Sequence, residues 1–204
     1  MATARKIGVL ALQGDFDAHR RRLEELGAEV VLVRKPEQFD EIDGLVIPGG
    51  ESGTFLKLLG GDGFEKLKQF VHAKPTFGTC AGAILLASEV ENPSQAGLGA
   101  LNIRIRRNAY GRQIDSSIRE GKFLDRRHSG DPHDGALRES PLEMVFIRAP
   151  KIVYIGQDVE VLATEGSDPV AVRQGSAMAA TFHPELSADS RIHRAFLDLV
   201  ENRT

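Results

Sequence analysis

Residues 74–90 read KPTFGTCAGAILLASEV and contain the only cysteine of the chain. A short apolar run gives way at Gly78-Thr79-Cys80-Ala81-Gly82 to a pattern with helical spacing, and Cys80 sits at that junction. The spacing G-x-nucleophile-x-G is that of a nucleophile elbow, where a sharp strand-to-helix turn projects the side chain and glycines relieve the crowding. A thiol at the start of a helix lies at the positive end of the macrodipole, beside unpaired N–H groups that favour the thiolate and can hold an oxyanion. The plainer reading is a buried cysteine acting as a small hydrophobe. The strand on one side and the helical pattern on the other favour the nucleophile.

Working outward, the first half alternates β-like runs with helical patterns: KIGVLAL (6–12), a helix over 15–26, AEVVLV (28–33), GLVIP (44–48), a helix-like stretch from Phe64, PTFGT (75–79), and helical AGAILLASEV (81–90). Strands that are apolar throughout, separated by helices, predict a parallel sheet covered on both faces, hence a doubly wound α/β start. From Leu101 the pattern turns to alternation, in LNIRIRR (101–107), VEVLAT (159–164), PVAVRQG (169–175) and AMAATFH (177–183), as expected of antiparallel strands added to or beside that sheet. In the closing DSRIHRAFLDLVEN (189–202), Ile192, Phe196, Leu199 and Val200 recur at helical spacing, with Ser190 or Asp189 as cap. Polar residues 126–140, RRHSGDPHDGALRES, read as an exposed loop.

No linker or compositional break divides the 204 residues, so one domain over 1–204 is expected. A formal charge of −3 with no long Lys/Arg block argues against nucleic acid as a partner. One cysteine makes no internal disulfide, and the early apolar run is too short for a membrane span or a signal core. The cytoplasm is therefore the expected compartment.

A nucleophilic thiol needs a base. In Phe182-His183-Pro184-Glu185 an extended backbone puts His183 and Glu185 on one side, with the carboxylate orienting the imidazole toward the sulfur. The buried run ending in Pro48-Gly49-Gly50 supplies a turn whose backbone approaches a ligand closely and whose N–H groups complete an oxyanion hole with that of Ala81; an ordinary glycine turn is the rival reading. If Ile103 and Ile105 face the core, strand parity turns Arg107 inward too, and an inward arginine needs an anionic partner, structural or substrate. Arg148 is a weaker candidate, alternating away from Val145, Ile147 and Ala149. His128, Asp131, His133 and Asp134 are potential metal ligands, but nothing in their loop preorganises them and no metal is expected.

With these elements in place, the sequence resembles the triad (class I) glutamine amidotransferase family. Within it the chain looks most like the vitamin B6 branch, the glutaminase subunits of pyridoxal 5′-phosphate synthase. GVLALQGD, PGGES, GTCAG, RRNAYGRQ, FIRAP and FHPE carry the resemblance in family order over nearly the whole chain. It implies a flavodoxin-like α/β fold and hydrolysis of L-glutamine by a triad of Cys80, His183 and Glu185, with no cofactor. It further implies that Gly50, Glu51 and Ser52, Arg107, Ile147 and Arg148 hold glutamine. The implied partner is a synthase subunit in a large ring-shaped heteromeric complex, which activates the glutaminase on docking and receives its ammonia. Three features depart from the family pattern: Gly53 where a hydroxyl residue is usual, Ala109 in place of a serine, and a long segment over 126–140. Two rival classes are a glyoxalase-like cysteine hydrolase, which leaves the His-Pro-Glu and Pro-Gly-Gly-Glu-Ser segments unexplained, and a glutamine-binding regulatory module without turnover, against which the intact triad argues.

Overall fold

The apolar runs of the first half become the parallel centre of a large sheet. In the computed structural model, which describes residues 5–107, 116–125 and 138–202, β1 (Lys6–Leu10), β2 (Glu29–Val33), β3 (Gly44–Ile47) and β4 (Thr76–Thr79) pair in parallel. Three strands, β5 (Ala87–Glu91), β6 (Leu101–Arg106) and β9 (Lys151–Ile155), form a small separate sheet. The remaining strands are β7 (Ser117–Asp125), β8 (Arg138–Phe146), β10 (Glu160–Glu165), β11 (Asp168–Gln174) and β12 (Ala177–Ala180). The large sheet runs β2-β1-β3-β4-β12-β11-β10-β7-β8, with β12 parallel to β4 and every pair beyond β12 antiparallel. An order of 2-1-3-4 followed by a fifth parallel strand is that of the flavodoxin-like doubly wound fold.

Burial explains why these strands are apolar at every position. Leu45 and Ile47 of β3 and Ala177 and Ala179 of β12 belong to the core on one face of the sheet, while Val46, Met178 and Ala180 belong to the core on the other. Helices α1 (Phe16–Glu25) and α4 (Arg191–Glu201) cover the second face; α2 (Ser52–Ala73) and α3 (Ala81–Leu86) cover the first together with the small sheet. Phe77 and Phe196 meet with ring centroids 5.8 Å apart where α4 crosses β4, and burying each such ring contributes ~1.5–3 kcal/mol. The expected terminal helix forms, and the Asp189 carboxylate accepts from the Arg191 amide at its start.

Four local expectations are corrected. The helix after the elbow ends at Leu86, and residues 87–91 leave it as β5, with a register shift between Ala87 and Glu89. The stretch from Phe64 is the second half of α2, which already starts at Ser52 and bends at Gly60 (φ 64°, ψ −177°). Residues 138–140 of the supposed loop belong to β8. His-Pro-Glu is not extended: β12 stops at Ala180, and Pro184, without an N–H and with a fixed φ, opens a 3-10 turn over Pro184–Leu186.

The carboxyl ends of β1, β3, β4 and β12 all lead into one crevice. Doubly wound sheets bind ligands at that edge.

Candidate active site

Cys80 occupies the turn between β4 and α3 with φ 48° and ψ −103°, a conformation that costs a non-glycine residue of order 1–3 kcal/mol and persists only where the surroundings impose it. Its amide donates to the Ala180 carbonyl (2.8 Å), tying the elbow to the neighbouring strand. The flanking glycines are required by close approach. A Cβ on Gly78 would lie 2.5 Å from the Gly82 carbonyl, and one on Gly82 would lie 2.1 Å from the Ile47 carbonyl, so any side chain there would lift α3 off β3 and β4. Cys80 is 6% exposed.

His183 reaches the thiol from the end of β12. Its amide donates to the Val145 carbonyl (2.8 Å), and its Nδ1 is 2.7 Å from Glu185 Oε1. Cys80 lies beside the ring, and both line the same cavity. The 3-10 turn brings His183 and Glu185 together as an extended segment was expected to, by a different backbone path. Burial opposes the charged imidazole, but Cys80 and Glu185 beside the ring outweigh it and push the His183 pKa up to about 10. Burial likewise opposes the Glu185 carboxylate, while the facing His19 and His183 hold it below the ordinary glutamate value. His183 and Glu185 thus form a buried, hydrogen-bonded pair with the Cys80 thiol beside it.

A cavity of about 220 Å³ opens in front of the thiol. Gly50, Glu51, Ser52, Arg107, Ile147 and Arg148 line it together with Cys80 and His183. Gly49 and Ala81 lie just behind: the Gly49 Cα faces the imidazole so closely that a Cβ would fall 2.5 Å from His183 Cε1, and Ala81 is the first residue of α3. Arg107 follows β6 in a turn, and its side chain is on the cavity side and only 19% exposed. Its guanidinium donates to Glu51 Oε1 (3.1 Å) and Gln95 Oε1 (2.9 Å). The Glu51 carboxylate also caps α2, accepting from the amides of Gly53 and Thr54 and from the Thr54 hydroxyl; the Thr54 hydroxyl and these amides hold its pKa below the usual value. Gly53 therefore serves through its amide, without a hydroxyl. Arg148 is exposed and has φ 45°. The expected alternation holds at Arg148 and buried Ala149 but not before them, where Phe146 is buried and Val145 and Ile147 are half-buried. The Ile147 carbonyl lies 4.0 Å from Cys80 Sγ.

Several residues at the site escaped sequence reasoning. Gln13 brackets the glycine turn: its Nε2 donates to the Glu51 carbonyl (2.8 Å) and its Oε1 accepts from the Glu51 amide (3.2 Å). Gln95 ties Ser52 to Arg107. Asp15 lines the cavity. Two wholly buried histidines, His19 and His193, lie beneath Glu185. A signal for both was present, since His19 falls four residues before Leu23 and His193 three before Phe196, within apolar stripes. Among the described residues, Asp15, His183 and Glu185 place ligand atoms within 4.8 Å of one another. Two of the three already share the 2.7 Å hydrogen bond. His128, Asp131, His133, Asp134 and Ala109 lie outside the described residues. No helix among the described residues is long and apolar enough to cross a membrane.

Comparison with known proteins places this geometry in a family context. Residues 9–202 match the SNO glutamine amidotransferase family. The chain is 62% identical to the pyridoxal 5′-phosphate synthase subunit PdxT of Koribacter versatilis, over 97% of this chain and 96% of that one. It is 48% identical to the PdxT of Thermosipho africanus, over 96% and 99%. A crystal structure of a glutamine amidotransferase superposes with a TM-score of 0.82 at 42% identity, covering 96% of this chain and 98% of that one. A glutamine amidotransferase of Thermotoga maritima shares the fold, with a TM-score of 0.60 at 14% identity, covering 100% of this chain and 86% of that one.

Proposed function

The chain belongs to the SNO glutamine amidotransferase family, and from that premise we propose that Cys80, His183 and Glu185 hydrolyse the side-chain amide of L-glutamine. The observation that carries the assignment is the buried His183–Glu185 hydrogen bond beside the Cys80 thiol of the elbow, facing a cavity at the carboxyl edge of the sheet.

In this scheme the Cys80 thiolate attacks the amide carbon, and the oxyanion is received by backbone N–H groups of Gly49, Gly50 and Ala81. His183 gives its proton to the departing nitrogen as the C–N bond breaks, releasing ammonia and leaving a γ-glutamyl thioester. Water then loses a proton to His183 and attacks the thioester, and cleavage of the C–S bond yields glutamate and the thiolate. Glu185 keeps the ring oriented and its cation stabilised. Arg107, held by Glu51 and Gln95, offers a preorganised positive charge for the α-carboxylate of glutamine. Ser52, Ile147 and Arg148 complete the binding surface.

Ammonia released into neutral water becomes mostly ammonium, which is not a nucleophile, so the product is useful only to an enzyme that receives it directly. The relatives named as pyridoxal 5′-phosphate synthase subunits support such an acceptor: the synthase subunit of vitamin B6 biosynthesis, in a ring-shaped heteromeric complex in the cytoplasm, with residues 1–204 acting as one glutaminase domain. The test is glutamate release from L-glutamine by the purified chain, alone and with a pyridoxal 5′-phosphate synthase subunit, beside Cys80→Ala. Activity that rises on mixing and vanishes in Cys80→Ala is expected. Full activity in Cys80→Ala refutes the nucleophile, and activity indifferent to the partner refutes the pathway.

A further inference from the structure

The proposed chemistry leaves two buried histidines without a task. His19 of α1 and His193 of α4 are both 0% exposed. Nδ1 of His19 lies 3.0 Å from Nε2 of His193, and Nε2 of His19 lies 3.0 Å from Thr79 Oγ1. That same Nε2 is 3.3 Å from Glu185 Oε2, an oxygen that makes no hydrogen bond among the described residues. Thr79 immediately precedes Cys80, so one imidazole touches both the elbow strand and the carboxylate behind His183.

The bonding pattern selects a tautomer. His193 Nδ1 is buried and has no hydrogen-bond partner among the described residues. A bare ring nitrogen there costs less than a stranded N–H, which would forfeit a donor in a dry site. His193 therefore carries its proton on Nε2 and donates to Nδ1 of His19, and His19 in turn carries its proton on Nε2, facing Thr79 and Glu185. The opposite arrangement would set a lone pair of His19 against the carboxylate.

Resting on the glutaminase reading above, we propose that His19 is a positioning residue: its Nε2–H, fixed in tautomer by His193 and bonded to Thr79 Oγ1, turns the positive end of its dipole toward Oε2 of Glu185, 3.3 Å away, so that Oε1 stays aimed at Nδ1 of His183. The charged and titratable groups around His19 are Glu185 and His183 from the turn after β12, Asp15 at the head of α1, and His193, with Arg22 acting on His193. Burial holds both His19 and His193 below the ordinary histidine pKa. A neutral His19 steers the carboxylate by a dipole and leaves its charge to stabilise the His183 cation.

The test follows the ring titration of His183 by NMR in protein carrying labelled histidine, together with kcat and KM for glutamine in the presence of the synthase subunit. His19→Leu fills the space without a donor, whereas His19→Gln sets an amide N–H near the position of Nε2. His19→Leu is expected to lower the His183 midpoint by about one pH unit, a tenfold loss of proton affinity. It should also cut kcat by about ten- to a hundredfold with KM within about twofold, as a small misplacement of a reacting group does. His19→Gln should recover both to within about threefold of wild type. A folded His19→Leu with an unmoved His183 midpoint overturns the proposal. So does a loss of kcat in both variants with the midpoint unmoved, which would make His19 merely structural. Should His19→Leu not fold, His19→Asn, whose amide reaches only the position of Nδ1, is compared with His19→Gln in the same way. Wild type that hydrolyses no glutamine with its partner would defeat the glutaminase reading instead, and the NMR midpoints would still decide the role of His19.

Discussion

Replacing Gly49 with alanine should disable the site without unfolding the protein. The added Cβ would stand 2.5 Å from Cε1 of His183 and 3.4 Å from Cβ of Cys80. The second distance is an ordinary contact, but the first is roughly 1 Å short of one. The turn cannot retreat the other way, because Gly14 is packed so tightly on it that a Cβ there would lie 1.8 Å from the Gly49 carbonyl. The imidazole therefore moves, and a shift of that size stretches or breaks the 2.7 Å bond to Glu185 and the alignment with Cys80. A 1 Å misplacement of a catalytic group costs on the order of 100-fold, or about 2.7 kcal/mol of transition-state stabilisation. Folding suffers less, since one methyl in a packed interior typically costs about 1–3 kcal/mol and lowers Tm by about 2–4 °C per kcal/mol in a chain of this size. Steady-state glutaminase kinetics with the synthase subunit, beside a thermal melt, separate the two effects. A Gly49→Ala protein with kcat within about threefold of wild type would show that the turn yields where the packing says it cannot.

Other perturbations test other parts of the site and its scaffold. Arg107→Lys keeps the charge but cannot reach Glu51 and Gln95 together; KM for glutamine should rise about tenfold with kcat within about threefold, and an unchanged KM would remove Arg107 from the binding surface. Gly82→Ala, which would drive a Cβ to 2.1 Å from the Ile47 carbonyl, should cost at least about 3 kcal/mol and lower Tm by about 6–12 °C, read by calorimetry. Stability should also depend on pH in two opposed ways. His183, raised to about 10 from 6.5 in the folded state, contributes stability that is fully present below about pH 6.5 and lost as pH rises through about 10. His19 and His193, lowered by burial, act oppositely: below about pH 6.5 the unfolded chain takes up protons that the native state refuses, and stability falls. Urea unfolding from pH 5 to 10 should therefore peak near neutrality, and a free energy still rising below pH 6 would contradict the burial of the histidine pair.

The parts of the fold legible in the sequence are those whose burial is uniform along an element. Val46 and Ile47 point to opposite faces and are both buried, so the whole of β3 is apolar and stands out. The start of α2 did not stand out, because Gly60 and Gly61 interrupt it and the bend at Gly60 breaks the periodicity. Residues 81–90 have helical spacing throughout, yet the chain leaves the helix at Ala87 because residues 87–91 pair with β6; that pairing is tertiary and no local propensity records it. At the site, Cys80, His183, Glu185 and Arg107 were readable because each carries reactive or charged chemistry at a telling spacing. Gln13 and Gln95 were not, since an amide that holds a backbone turn or an arginine looks like any surface glutamine until the partners meet. His19 and His193 fell between the two: their place in the apolar stripes was visible, but their shared contact depends on two helices lying on the same face of the sheet.

The thiol and its imidazole stand at the ends of adjacent parallel strands, Thr79 beside Ala180, with about a hundred residues of chain between them. Bringing such distant segments together costs about 4 kcal/mol of loop-closure entropy before any contact is made. The partner strand β12 and the turn behind it follow the elbow in the chain and so emerge after it during synthesis. On the proposed chemistry, a nascent chain that has already made its elbow holds a thiol with no base, and cannot consume glutamine until the last parallel strand docks. Catalytic competence is in this way a report that the sheet has closed.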